Sequence, residues 1–455
     1  MIEFDLIIKN GFIVLEKEIR KMDIGIRNGK ISAIQDCVEG TAKREIDALN
    51  QYIFPGVIDV HAHFSEPGRE FWEGFSTGSQ MMAAGGCTTY FDMPLNGIPS
   101  TINKKALLDK ASIGEVKSCV DFGLWGGLVP GNVENLKELA ELGVVGFKAF
   151  LSETGNEEFQ NVDDLTLLYG MQEISKLGKV LALHAESAPI TSWLQNRKIK
   201  FGQLSADDYL ASRPAIAEFE AVNRAIAYAQ ITNCPLHFVH ISSPDAVLAI
   251  QKAKLNGMDI TLETCPHHLL FNHDDLIEKG AIAKCAPPLR EEEVKQQLVS
   301  LFVEGKFDMI SSDHSPCTPD MKDSKMHNIF TAWGGISGGQ FTLLSTIELV
   351  LQNNMSLLQV AKYTSTNPAH RFKLKGKGKI EVEKDADLVI VSMEPFKVDE
   401  SELFSKHKLS IYVGHTFPCR IKQTIARGNV LFENGQINLG TRGEWLSIKA
   451  LIDAV

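Results

Sequence analysis

The sequence predicts an α/β protein in which a (β/α)8 barrel is joined to a small β-sandwich-like domain built from both termini. Through the middle of the chain, eight apolar runs alternate with amphipathic stretches, which is the pattern and the strand count of such a barrel. Toward both ends the chain instead shows short strand-like runs joined by Asn-Gly turns, a strong hairpin signal. The 455 residues exceed the roughly 250 of a typical barrel, which leaves length for a second unit.

Domain limits follow from where these patterns change. We expect residues 1–52 to form the N-terminal part of the small β domain, residues 53–375 the barrel, and residues 376–455 the C-terminal part of the small domain with a tail. In the first segment, Asn10-Gly11 and Asn28-Gly29 interrupt apolar runs, and each pair predicts a hairpin turn.

The barrel strands are expected at eight apolar runs, in order FPGVIDV, CTTYFDMP, VDFGLWGGL, VVGFKAF, VLALHAE, PLHFVHIS, ITLETCP and FDMISSD. Amphipathic segments such as NVENLKELAELG and SPDAVLAIQKAKLNG separate them and predict the outer helices. An open doubly wound sheet would show a similar alternation and is the alternative fold.

Composition narrows the classes of function. With 46 basic and 57 acidic residues the net charge is −11, which argues against nucleic-acid binding because that binding depends on basic surfaces. The sequence contains neither a run of roughly 18 apolar residues nor a basic segment before an apolar core, so we expect no membrane association and a cytoplasmic location. The eight cysteines form no C-x-x-C pair, and we expect reduced, mostly buried thiols.

Side chains that bind metals stand at the ends of several predicted barrel strands. His61 and His63 are two residues apart in DVHAH, so a strand directs both to one side, where they can reach one ion. His184, His240 and Asp313 end the fifth, sixth and eighth runs. Because barrel enzymes build their active sites at the carboxyl ends of the strands, we expect these side chains to meet in a metal centre.

Lys148 lies within the fourth apolar run, GVVGFKAFL, where a lone ammonium group would be costly to bury. A buried lysine with a depressed pKa is nucleophilic and can react with carbon dioxide to give a carbamate, an anionic ligand able to bridge two ions. Asp313, a carbamate and a hydroxide would together offset most of the positive charge of two divalent ions. The charge balance therefore favours N6-carboxylated Lys148 over a cationic lysine.

Most other histidines are expected to be structural. His237 is three residues from His240, so it points to the opposite face of its strand, while His314 follows Asp313 and is expected behind the ligands. His267 follows the seventh run and would lie at the rim of the site. Surface or structural positions are expected for His273, His327, His370, His407 and His415.

With these residues in place, the chain resembles the amidohydrolase superfamily, in the cyclic-amidase branch of dihydroorotases, hydantoinases, dihydropyrimidinases and allantoinases. The matching segments follow one another along nearly the whole chain: FPGVIDVHAHF, GFKAF, HAES, ETCPHHLL, KCAPPLR, SSDHSPC and GKIEVEKDADLVIV. The resemblance implies the barrel, the small β domain and two divalent metal ions, with zinc expected first and cobalt, manganese or iron(II) as alternatives. It assigns one ion to His61, His63 and Asp313 and the other to His184 and His240, with carboxylated Lys148 as the bridge.

Within this branch the segments GVVGFKAFLSETG and TAWGGISGGQ, and the stretch that follows HAHF, most resemble allantoinases. Dihydroorotases carry an Arg two residues after the second His for the substrate carboxylate, whereas this chain has Ser65; allantoin offers no carboxylate to such an Arg. Hydantoinases and dihydropyrimidinases typically carry a Tyr five residues after the bridging lysine, where this chain has Glu153. The chain also reads CPHHL where CPHYL is frequent, which changes no expected ligand.

The resemblance implies metal-dependent ring opening of the cyclic ureide allantoin to allantoate, in purine breakdown. A metal-bridging hydroxide would attack a ring carbonyl, with Asp313 as general base and then as general acid toward the leaving ring nitrogen. The polar segment LSETGNEEF, residues 151–159, is either a lid or a solvated loop. Substrate contacts, each of which could instead serve only its loop, are expected from Ser315, Cys285, Gly335 and Asn96.

Two other functions stay open at this point. A hydantoinase- or dihydropyrimidinase-type cyclic amidase would use the same centre on a different ring. A non-catalytic scaffold related to dihydropyrimidinase would have lost metal ligands, whereas all six ligand positions are filled in this chain. The resemblance also implies a homotetramer with a small-molecule substrate.

Overall fold

The computed structural model describes residues 3–447 of the chain. Its strands are β1 Glu3–Val14, β2 Ile19–Arg27, β3 Lys30–Gln35, β4 Thr41–Asp47, β5 Tyr52–Pro55, β6 Val57–Ala62, β7 Cys87–Asp92, β8 Asp121–Leu124, β9 Gly126–Gly127, β10 Phe147–Phe150, β11 Leu181–His184, β12 Leu236–Phe238, β13 Ile260–Thr264, β14 Met309–Ile310, β15 Leu388–Ser392, β16 Phe396–Lys397, β17 Thr416–Phe417, β18 Arg420–Ala426, β19 Asn429–Glu433 and β20 Gln436–Ile437.

The α-helices follow most of the barrel strands. They are α1 Phe75–Ala84, α2 Lys104–Lys117, α3 Leu136–Glu141, α4 Asp164–Lys176, α5 Ala188–Lys200, α6 Ala206–Ser212, α7 Ala215–Thr232, α8 Pro244–Leu255, α9 Pro266–Leu270, α10 His273–Lys279, α11 Glu292–Val303, α12 Thr342–Gln352, α13 Leu358–Ala361 and α14 Asn367–Arg371. Within residues 3–447, none of the helices is both long enough and apolar enough to cross a bilayer.

Strands β6 to β14 form the wall of the barrel and run parallel in two hydrogen-bonded stretches, β6-β7-β8 and β9-β10-β11-β12-β13-β14. The third expected strand, VDFGLWGGL, is divided into β8 and β9, which corrects the single strand that we expected. The division falls at Trp125, because β8 pairs with β7 whereas β9 pairs with β10. The Trp125 indole is buried and donates to the Val60 carbonyl at 3.0 Å, so this residue serves the barrel core.

Contacts between the first and last barrel strands join the two ends of this ladder. Ala62 at the end of β6 forms a parallel bridge with His314, and the His63 amide donates to the His314 carbonyl at 2.8 Å. Below this bridge the buried Asp59 carboxylate accepts the Ser312 amide at 3.2 Å. The predicted barrel is confirmed, and its closure brings the His61 and Asp313 strands side by side.

Strands from both ends of the chain make up the small β domain, as predicted. In the described part of the chain they hydrogen-bond in one sheet of order β20-β19-β18-β15-β5-β1-β2-β3, with β4 beside β1. The long β1 pairs with β2 in the antiparallel sense and with β4 and β5 in the parallel sense. One buried cluster unites apolar side chains of these strands, including Leu6, Ile24, Ile53, Leu388 and Ile425. The domain limits given above stay a prediction.

One of the two expected N-terminal turns is wrong. Asn10-Gly11 lies inside β1, where the register of pairing with β2 shifts between Ile8 and Gly11, so the pair forms a β-bulge. Asn10 has φ 64°, and its amide donates to the Asp23 carboxylate at 2.9 Å, which holds the bulge. Asn28-Gly29 does form the expected hairpin turn between β2 and β3, with positive φ at both residues.

The eight cysteines are free thiols, and all except Cys37 are buried, as expected.

Beside the barrel, a buried ion cluster ties the segment before β15 to β8. The Lys377 ammonium lies 2.7 Å from both Asp121 and Asp387 and 3.4 Å from Asp385. Burial disfavours the charged lysine, but Asp387 and Asp121 raise the pKa of Lys377 above its usual value. Lys377 therefore stays charged, and its cluster joins the small domain to the barrel.

Replacing Lys377 by Met should lower the free energy of unfolding by about 3–5 kcal/mol, because it leaves buried carboxylates without their cation. Lys379→Met is the matched control: its pair with Glu16 is largely exposed, so the loss should stay below about 1 kcal/mol. Urea-unfolding curves of both variants check this, and losses of equal size would contradict it.

Candidate active site

The predicted ligands converge at the carboxyl ends of the barrel strands. His61 lies on β6, Lys148 on β10 and His184 at the end of β11, while His240 and Asp313 follow β12 and β14 by two and three residues. The side chains border a cavity of about 360 Å³ whose lining includes His61, His63, His184, His240 and Asp313. Lys148 is completely buried beneath it. The structure therefore brings all six predicted ligands together.

Asp313 stands between two imidazoles. Its Oδ1 atom lies 3.1 Å from Nε2 of His61 and 3.2 Å from Nε2 of His63. Ligand atoms of these three residues lie within 4.8 Å of one another, as one metal ion requires. Nitrogen and carboxylate oxygen donors of this kind suit a divalent transition metal.

The other two histidines lie beside this group. The ring centroids of His184 and His240 are 4.6 Å apart, and that of His240 is 5.4 Å from His61. Backbone strain accompanies the site, since His240 has φ 39° and Asp313 φ 45°, conformations that non-glycine residues adopt rarely. Strain of this kind persists only where the surroundings hold the residue in place.

Lys148 is a completely buried amine within the predicted centre. Its Nζ is buried and has no hydrogen-bond partner among residues 3–447, although the ring of Phe150 lies 5.0 Å away. Burial lowers the pKa of Lys148 to about 8, so a larger fraction of this amine is neutral near pH 7 than for an exposed lysine. An unpaired ammonium at this buried position would be costly.

Two buried carboxylates, which sequence reasoning missed, orient the histidines. Glu263 on β13 bonds His61 Nδ1 at 2.6 Å and His237 Nε2 at 3.1 Å. Glu186 bonds His184 Nε2 at 2.8 Å and forms a two-bond ion pair with Arg213. These contacts leave His61 Nε2 and His184 Nδ1 free for a metal. The sequence did contain a feature that could have identified these two residues, because each acid lies in or next to an apolar strand segment, ITLETCP or LALHAES.

The protonation states of His63 and Asp313 agree with a metal site. Burial lowers the pKa of His63 to about 4, so this imidazole is neutral and can act as a ligand at pH 7. Burial alone would raise the pKa of Asp313, but His61 and His63 hold it well below its usual range. Asp313 is therefore an ionised acceptor within reach of two ligands.

Of the four expected substrate contacts, two line the cavity and two do not. Ser315 and Asn96 line it, and Asn96 Nδ2 is 3.2 Å from His63 Nδ1. Cys285 is buried and its carbonyl accepts the Tyr209 hydroxyl at 2.9 Å, while its neighbours Lys284 and Ala286 line the cavity. Gly335 is packed so closely that a Cβ there would lie 2.2 Å from the Ser315 carbonyl oxygen. Roles for these residues in binding substrate stay predictions.

A second group of ligand-type residues, His267, His268 and Cys285, also has its atoms within 4.8 Å of one another. Burial raises the pKa of the Cys285 thiol to about 12, and none of these three residues lines the cavity, whereas His61, His63 and Asp313 do. We therefore assign the metal centre to the first group. His237 and His314 are buried against Glu263 and Glu73, as supporting residues rather than ligands.

The segment 151–159 is attached to the barrel at both ends. The Leu151 amide donates to the His184 carbonyl at 3.0 Å, and Phe159 is buried against Phe150. Between them, Glu153, Thr154 and Gly155 line the cavity. The segment is thus part of the cavity wall, and its behaviour as a lid stays a prediction.

Comparisons with known proteins agree with this geometry. The amidohydrolase family model matches residues 52–431. The chain is 52% identical over 432 residues to an allantoinase of Bacillus velezensis, covering 95% of each chain. It is 46% identical over 448 residues to an allantoinase of Solibacter usitatus, covering 98% of this chain and 97% of that one. Among solved structures, an L-hydantoinase (dihydropyrimidinase) from Arthrobacter aurescens superposes with a TM-score of 0.94 at 32% identity, covering 98% of this chain and 100% of that one.

Glu263→Gln should weaken binding of a divalent ion by about 10–100-fold, because it removes the carboxylate that orients His61. Glu348→Gln is the matched control: Glu348 makes a similar 2.7 Å bond to His415, which is not a ligand of the centre. Competition with a chelator gives the affinity of each variant. Equal affinities in the two variants would contradict the role of Glu263.

Proposed function

The chain belongs to the amidohydrolase family and opens the ring of allantoin by hydrolysis; we propose that it does so at the centre described above, with Asp313 moving the proton. The observation that carries this proposal is the meeting of five ligand side chains above Lys148, a buried lysine without a hydrogen-bond partner in the described residues. Similarity over nearly the full length to curated allantoinases supports the choice of substrate.

We propose that His61, His63 and Asp313 hold one divalent ion, that His184 and His240 hold a second, and that carboxylated Lys148 bridges them. The donor set fits, since it combines neutral imidazoles with anionic oxygens. Zinc is the ion that we expect first, with cobalt, manganese or iron(II) as alternatives. When bound, such ions lower the pKa of a water and polarise a carbonyl.

In this proposal Asp313 acts as the general base and then as the general acid. Its carboxylate is ionised, because the neighbouring imidazoles outweigh the effect of burial on its pKa. It lines the cavity, so it can accept the proton of an attacking water and deliver it to the ring nitrogen that leaves. The product of this step is the open-chain acid allantoate.

The cavity also disfavours one related substrate. Ser65, at the position where dihydroorotases carry an Arg, is buried with φ 60°. The two cations that line the cavity already have partners: Arg213 pairs with Glu186, and Lys284 donates to the carbonyls of Phe330 and Ala332. A dihydroorotate carboxylate would therefore meet no unpaired arginine at this position.

The hydantoinase-like structure supports the wider cyclic-amidase family, and a preference for hydantoins is the second candidate. A scaffold without catalysis is disfavoured, because all six ligand positions are filled and adjacent. A homotetrameric assembly and a cytoplasmic location stay predictions from the resemblance; sedimentation velocity of the purified protein measures the first.

The decisive experiment compares allantoin, dihydroorotate, hydantoin and dihydrouracil as substrates of the zinc-loaded protein. We expect the highest kcat/KM for allantoin, because the similarity to allantoinases and the residues at Ser65 and Glu153 both point to it. Two readouts monitor ring opening: the loss of the cyclic amide absorbance and the amount of base needed to hold the pH constant. A preference for hydantoin or dihydrouracil would leave the proposed metal centre unchanged but would show that allantoin is not the preferred substrate.

Lys148→Ala should reduce kcat by at least 100-fold and lower the bound metal, because it removes the proposed bridge. Added short carboxylic acids should restore part of both, since a carboxylate can replace the carbamate. Lys179→Ala, a lysine whose ammonium bonds the Val144 carbonyl, is the control and should keep its metal. Full activity of Lys148→Ala without added acid would exclude the carbamate bridge.

A further inference from the structure

One part of the cavity wall is polar and takes no part in the chemistry proposed so far. It consists of Glu153, on the loop after β10, and of Ser192 and Gln195 on α5. The two helix residues are three positions apart, which places both on one face of α5. We call these three residues the polar wall.

The loop that carries Glu153 is fixed relative to the metal ligands. The Leu151 amide bonds the carbonyl of the ligand His184 at 3.0 Å, and the Thr154 hydroxyl bonds the Phe159 carbonyl at 2.7 Å. Glu153 therefore stands on a short anchored segment that begins directly after the strand of Lys148. Its distance from the centre is set by the barrel.

One carboxylate oxygen of Glu153 is held while the other is available. The Ser192 hydroxyl donates to Glu153 Oε1 at 2.8 Å. Glu153 is exposed where it lines the cavity, and among residues 3–447 its Oε2 receives no hydrogen bond. The wall thus presents an oriented anionic acceptor to whatever occupies the cavity.

The ureido side chain of allantoin has the complementary chemistry. It carries N–H groups on two nitrogens that flank one carbonyl, so it can direct two parallel donors at a carboxylate, as a guanidinium does. The hydantoin ring alone lacks this group. A carboxylate on the wall would therefore distinguish the two molecules without touching the bond that breaks.

We propose that the polar wall is the subsite for the ureido group, with Glu153 as its acceptor, Ser192 as the residue that orients Glu153, and Gln195 as a flanking amide. This inference rests on the proposed function, since it presumes that allantoin is the substrate. It makes Glu153 a specificity-determining residue, whereas ring opening depends on the metal ligands and Asp313.

The test uses Glu153→Gln in the metal-loaded full-length protein. Gln keeps the size of the side chain and one oxygen for Ser192, but it removes the charge that strengthens a hydrogen bond. We expect kcat/KM for allantoin to fall roughly 10- to 100-fold, mainly through KM. The inhibition constant of hydantoin, measured as a competitor of allantoin, should change less than about twofold, because hydantoin carries no ureido group.

Glu157→Gln is the matched control, because this acid is exposed in the same segment, as Glu153 is, but does not line the cavity. It should leave both constants as they are in the unmodified protein. Metal content and the urea midpoint of each variant report whether the fold is intact, and Glu153→Asp should recover part of the loss.

Two results would overturn the subsite. One is an unchanged kcat/KM for allantoin in Glu153→Gln, and the other is an equal loss for allantoin and for hydantoin binding, which would indicate a general effect on the cavity. Failure of the proposed function is recognised separately, because the unmodified protein would then open hydantoin or dihydrouracil in preference to allantoin.

Discussion

A carboxylate buried in the end of this barrel must be paired, and that pairing positions the imidazoles of the centre. Glu263 holds His61, Glu186 holds His184, and Asp313 lies between His61 and His63. Each pair offsets the cost of burying a charge and at the same time fixes which ring nitrogen faces the cavity. Lys148 is the exception, since it is buried without a partner among the described residues. The same rule that accounts for the pairs therefore points to a chemical change at this lysine.

The barrel and the small domain supply the rigidity that such pairs need. The bridge between Ala62 and His314 sets the strand of His61 and His63 beside the segment of Asp313. The small sheet is tied to the barrel through Lys377 and its carboxylates, away from the cavity. Residues on different strands thus keep fixed distances, as the proposed two-ion centre requires, because its predicted ligands come from five places in the chain.

The architecture separates the predicted metal ligands from the residues proposed to contact the substrate. The predicted metal ligands lie on barrel strands or within three residues of a strand end. Residues proposed to read the substrate, such as Glu153, Ser192 and Asn96, lie on loops and on the first turns of a helix. Loops can change while strands stay in place. This explains how a hydantoinase structure can superpose so closely while the sequence relatives are allantoinases.

The sequence by itself determined the barrel and the small domain from both termini, and it predicted six ligand positions that the structure brings together, because strand periodicity and strand-end positions are local patterns. It also identified Lys148 through the cost of burying an ammonium. Only the tertiary structure decided the partners of the ligands: Glu263 and Glu186 look like ordinary acids in the chain until distant strands bring them to His61 and His184. The bulge at Asn10-Gly11 and the division of the third strand at Trp125 were likewise decided by pairing with distant segments. Local patterns specify elements, whereas burial and hydrogen-bond satisfaction depend on which elements meet.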